Sequence, residues 1–187
     1  MEHESEFNPE ILKPKFLYHA SPNQNIELFE PRAESVRDAD EGPVVFATPD
    51  LGYASMFLVP VDDTWVQIST ISGAGDNKHY IVISDKNRFT ALDKGGAIYC
   101  LPNTDFTTDQ HKSKNAIEWT SRTKVAPTNK IDYTSGLNAM IENNVQVYFV
   151  DSDTFEKIQQ SPKHGAKILQ NLQSENQKLG KNIVDIM

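Results

Sequence analysis

Two short apolar runs near the N-terminus stop abruptly in polar residues: Phe16 to Tyr18 before His19-Ala20-Ser21, and Val44 to Phe46 before Ala47-Thr48-Pro49-Asp50. Each has the length and residue types of a buried strand, and the second leads directly into a helical pattern. A fold built on them must bring strand ends and a helix start together. Such places hold polar side chains and unpaired N–H groups rigidly against a ligand, which makes His19 and Thr48 candidate contacts of a small molecule.

Strand patterns continue through the middle of the chain. Trp65 to Ile71 and His79 to Ile83 are rich in β-branched and aromatic residues, and Gly73, Gly75, Asp76 and Asn77 lie between them, so the two runs are expected to pair as a hairpin. Ala97 to Leu101, Ala116 to Thr120 and Val145 to Val150 complete about seven strands. A helix is expected after the second run, with Thr48 as its cap, Pro49 in the first turn and Asp50 against the positive end of the dipole. Leu51, Ala54, Phe57 and Leu58 form its apolar face. Further helices are expected over Thr134 to Glu142, Thr154 to Gln160 and Lys163 to Lys178, the last polar enough to be a loosely attached helix or an interaction tail.

At 187 residues the chain suits one core that buries roughly 70% of the unfolded surface. The expected organisation is a flexible acidic segment over residues 1–14, an α+β domain over 15–150 with a split, mostly antiparallel sheet and flanking helices, and a helical C-terminal extension over 151–187. A net charge of −8 opposes nucleic acid or an anionic membrane as the main partner, because those surfaces are bound by clustered Lys and Arg. The N-terminal residues carry no secretory signal of the usual kind, and no apolar stretch nears the ~20 residues of a spanning helix. A cytoplasmic location is expected, with non-classical export left open. The single cysteine, Cys100, reads as a small buried hydrophobe and permits no intramolecular disulfide.

Several chemistries lack a sequence signal. The five histidines have no short metal-ligand spacing and one cysteine makes no thiolate cluster, so no metal is expected. Gly73-Ala74-Gly75 has neither the third glycine nor the helix of a dinucleotide fingerprint, and no GxSxG elbow is present.

Tyr18-His19-Ala20-Ser21, Leu28 to Arg32, and Val45-Phe46-Ala47-Thr48 leading into Tyr53-Ala54-Ser55 together resemble the NAD-binding core of ADP-ribosyltransferase-like domains. The likeness is to the poly(ADP-ribose) polymerase and diphtheria-toxin branch, and also to uncharacterised bacterial proteins with Tyr-His-Gly-Ser and Ala-Thr-Pro-Asp motifs. It covers roughly residues 16–58 and a later strand bearing Glu118. The resemblance implies that NAD is the substrate, that His19 holds a ribose hydroxyl, and that Glu118 contacts the nicotinamide ribose; these two are the catalytic candidates. Ser21 and Thr48 would bond amide or hydroxyl groups, Arg32 the pyrophosphate, and Phe46 or Tyr53 would stack where that branch carries a tyrosine on its second strand. The branch with a paired acid fits less well, since residue 116 is Ala. The resemblance implies ADP-ribosyl transfer to an unidentified acceptor, or NAD hydrolysis; the acidic charge favours protein over nucleic acid as that acceptor. The alternative from another class is a domain that kept the fold, lost catalysis and acts through protein contacts.

Each residue also has a purely structural role open to it. His19 can be a hydrogen-bonded strand-end histidine, Glu118 the solvent-facing member of an alternating strand, and Arg32 a surface arginine.

Overall fold

Two unbroken apolar runs, Tyr80 to Ile83 and Val147 to Val150, lie at the centre of the largest sheet. In the computed structural model, which describes residues 13–33, 42–72, 77–108, 117–177 and 183–187, the chain forms β1 (Phe16–Ser21), β2 (Val45–Ala47), α1 (Leu51–Ser55), β3 (Val66–Ser72) and β4 (Asn77–Ile83). There follow α2 (Lys86–Leu92), β5 (Gly96–Pro102), β6 (Trp119–Ser121), β7 (Asn129–Tyr133), α3 (Gly136–Glu142) and β8 (Gln146–Phe149). The C-terminal part supplies α4 (Ser152–Gln160), a short 3-10 turn, α5 (Ala166–Gln177) and β9 (Ile183–Asp185).

The class is α+β with mostly antiparallel pairing. One sheet has the order β1-β5-β7 and a second pairs β2 with β6, all antiparallel; the third has the order β3-β4-β8-β9, antiparallel at its first pair and parallel at the other two. In this last sheet, alternation along two central strands explains the continuous apolar runs. Ile81, Ile83, Val147 and Phe149 face a core shared with Phe89 of α2 and Met140 of α3, whereas Tyr80, Val82, Tyr148 and Val150 face Phe155 and Ile158 of α4 and Leu169 of α5. A strand buried on both faces has no polar alternation to show. The C-terminal helices are therefore packed onto the sheet, and Val184 of β9 is enclosed in the same cluster.

All seven expected strands are present, but several details differ. Helix α2 was not expected, because Lys86–Leu92 has only Phe89 and Leu92 to mark an apolar stripe. Strand β7 also escapes pattern reading: it is exposed along most of its length. The cap of α1 is Asp50, whose carboxylate accepts from Tyr53 N–H, and not Thr48. Thr48 is still paired as strand, exchanging backbone hydrogen bonds with Tyr18 at 2.7 and 2.9 Å, while its hydroxyl accepts from Asp50 N–H. Phe57 and Leu58 follow α1 in a turn instead of extending its face. Ser135 caps α3, and the Asp93 carboxylate reaches across from the end of α2 to accept from Gly136 N–H, Leu137 N–H and the Ser135 hydroxyl. Cys100 is half-buried rather than enclosed. Most of the acidic N-terminal segment, residue 116 and the glycine turn at 73–76 lie outside the described residues.

Candidate active site

Strands β1 and β2 meet at one backbone bridge, Tyr18 with Thr48, and then part. Continuing that antiparallel register would pair Ala20 with Phe46, giving the Phe46 carbonyl to Ala20 N–H. Instead the imidazole of His19 intervenes, its Nδ1 2.6 Å from the Phe46 carbonyl oxygen. The histidine thus satisfies the carbonyl that the separating strands leave behind, and a cleft of about 250 Å³ opens at the split. His19, Phe46, Thr48, Tyr53 and Glu118 all line it, together with Tyr18 and Phe57.

A carbonyl oxygen only accepts, so Nδ1 carries the proton and Nε2 of a neutral His19 is an acceptor. Burial lowers the proton affinity of the ring, the Phe46 carbonyl partly offsets that, and the Arg32 charge lowers it further. The ring is accordingly neutral around pH 7. Phe29 supports it from the core, with ring centroids 4.6 Å apart.

Glu118 reaches the cleft from the residue just before β6, whose Trp119 is buried in the core beside β1. It is partly buried and not a solvent-facing strand residue. Its Oε1 accepts from the Tyr53 hydroxyl at 2.8 Å, which joins α1 to the start of β6 across the cleft. No family model, curated protein or solved structure matches this chain. The chemistry of the site accordingly rests on these groups alone: an imidazole acceptor, a carboxylate held by a phenol, a buried threonine, and aromatic walls that suit a flat ring.

Ser21 and Arg32 do not line the cleft. Ser21 faces a turn, its hydroxyl accepting from Asn23 N–H at 3.2 Å. Arg32 is exposed on a bridge to Val44, close enough to act on His19 electrostatically. Among the described residues no group of three His, Cys, Asp or Glu side chains could hold a metal ion, and no helix is long and apolar enough to cross a membrane.

Behind the cleft lie two residues that the pattern of the chain did not single out as a pair. His79, only 5% exposed, donates from Nε2 to Asp50 Oδ2 at 2.8 Å and has Nδ1 2.9 Å from the Thr70 hydroxyl. Burial pushes the Asp50 carboxyl up, but hydrogen bonds from His79 and from Tyr53 N–H outweigh it and hold it below the usual carboxylate range. The two lie 29 residues apart with no spacing motif to connect them.

Proposed function

We propose that this cleft binds NAD and that the chain is an ADP-ribosyltransferase-like enzyme, cleaving the bond between nicotinamide and ribose. The observation that carries the reading is the convergence of His19 on β1 with Glu118 before β6, the second held by Tyr53 of α1. The volume of about 250 Å³ is just below the usual range for a whole drug-sized ligand. It suits the nicotinamide riboside end, with the remaining phosphates and adenosine lying outward, toward the side on which Arg32 supplies positive charge.

Phe46 and Tyr53 offer faces to the nicotinamide ring. Nε2 of His19 accepts from a ribose hydroxyl and Thr48 adds a hydroxyl partner. As the glycosidic bond breaks, its electron pair leaves with nicotinamide and positive charge builds on the ribose. The Glu118 carboxylate favours that charge more in the transition state than in the ground state. The acceptor oxygen then bonds to the ribose carbon and passes its proton to the Glu118 carboxylate and on to solvent; with water as acceptor the products are ADP-ribose, nicotinamide and a proton. A net charge of −8 favours a protein over a nucleic acid as acceptor.

Calorimetric titration of NAD into wild type and His19→Ala, alongside nicotinamide release, tests the reading. Binding that weakens at least about tenfold in the variant, with nicotinamide released by wild type, supports it. Binding without release would leave a regulatory NAD-binding module. No binding at millimolar NAD sinks the proposal.

A further inference from the structure

The Tyr53–Glu118 hydrogen bond requires α1 to sit in one place, yet α1 is only five residues long and has little helical stability of its own. Its body packs on β1, β5 and α3, and its first turn is tied to β4. Asp50 caps the helix through Oδ1, which accepts from Tyr53 N–H at 3.1 Å, and turns Oδ2 to His79. His79 is in turn held by Thr70 across the β3-β4 hairpin. The same imidazole packs under the helix: a Cβ added at Gly52 would lie 3.0 Å from His79 Cδ2 and 2.9 Å from the Asn143 carbonyl oxygen. The Tyr53 ring leans over it, with centroids 5.8 Å apart. Hydrogen bonding and close packing thus fix the same turn from below.

We propose that His79 is a positioning residue of the cleft, acting through Asp50 and the first turn of α1 to hold the Tyr53 hydroxyl on Glu118. For its catalytic part this rests on the NAD reading above; the positioning itself does not. His79 stands outside the cleft lining, so it does not touch the ligand. Its Nε2–H makes one bond with a carboxylate whose other oxygen caps Tyr53, so its loss frees both the Asp50 rotamer and the helix start.

The test uses the full chain with tyrosine isotope-labelled at Cζ, whose resonance reports the hydrogen bond of the phenol. The signal missing from Tyr53→Phe belongs to Tyr53, and Glu118→Ala gives its position without the carboxylate. In His79→Leu the resonance is expected to move at least about halfway to that position, and His79→Gln, which keeps a donor for Asp50, to return it. In parallel kcat for NAD is expected to fall about three- to tenfold, no further than in Tyr53→Phe, with KM changed less than about twofold, and to recover in His79→Gln. An unmoved resonance in His79→Leu overturns the proposal, as does movement without loss of kcat in an active enzyme. If wild type consumes no NAD, the spectral result still decides the positioning and only the NAD reading fails. Should His79→Leu not fold, Thr70→Val removes the outer hydrogen bond alone: a smaller displacement in the same direction supports the proposal, and none overturns it.

Discussion

Nδ1 of His19 sits 2.6 Å from the carbonyl oxygen of Phe46, 27 residues away, where a continued ladder would have placed a backbone N–H. The ring that lets two strands separate is therefore the ring that faces the space they leave, and its protonation state follows from the same contact. With burial and Arg32 lowering its proton affinity, His19 stays neutral to below the ordinary histidine value of about 6.5. Because the folded state binds the proton less readily than the unfolded one, this contribution to stability is complete above that value and is lost as pH falls through the lower, folded value. NAD affinity is expected to be flat above about pH 6.5 and to decline only at more acidic pH, when Nε2 becomes a donor. Calorimetric titration across pH, with nitrogen NMR of the imidazole, checks this; an Nδ1-protonated neutral tautomer is the expected signal.

Replacing Glu118 by Gln removes charge with little change in volume and leaves an oxygen for the Tyr53 hydroxyl. NAD turnover is expected to fall roughly hundredfold or more, with affinity changed by no more than a few-fold. Steady-state nicotinamide release and calorimetry on the same variant measure the two. Equal rates in variant and wild type would remove Glu118 from the mechanism.

Tyr53→Phe keeps the ring against Phe57 and His79 but deletes the bond to Glu118. A smaller loss is expected: about tenfold in kcat and about 1 kcal/mol of stability, read by kinetics and urea denaturation.

Asp93 caps α3 from outside the helix, accepting from two backbone N–H groups and the Ser135 hydroxyl. Asp93→Ala is expected to cost about 1–2 kcal/mol, measured by denaturant midpoint. Burial raises the Asp93 carboxyl, but its hydrogen bonds prevail and hold it below the ordinary range. This stabilisation is present above the unfolded value near ~4 and disappears as pH falls through the lower folded value. The gap between wild type and Asp93→Ala is therefore expected to narrow in acid.

Ile158 of α4 is fully buried against the sheet. Ile158→Ala is expected to destabilise the whole chain by about 2–5 kcal/mol in a single transition. A separate early transition, seen by circular dichroism with the fluorescence of the buried Trp65 and Trp119 unchanged, would show instead that the C-terminal helices melt alone.

The residues of the cleft were readable one by one. His19, Phe46 and Thr48 lie where apolar runs end, Tyr53 lies within the short helix that follows, and Glu118 precedes the buried Trp119. Ser21 and Arg32 were equally plausible by type and position, yet neither reaches the cleft, because a turn takes the Ser21 hydroxyl and Arg32 stays on the surface. The partnership of Asp50 with His79 was not readable at all.

Local patterning in the sequence determined seven of the nine strands among the described residues, because alternation and β-branched runs record which faces are buried, and it determined the polar strand ends because apolar residues stop there. Tertiary structure alone decided where β1 and β2 part, which carboxylate meets Tyr53, and what anchors α1. Those contacts join residues tens of positions apart, and their geometry depends on how sheets and helices pack, which no periodicity along the chain encodes.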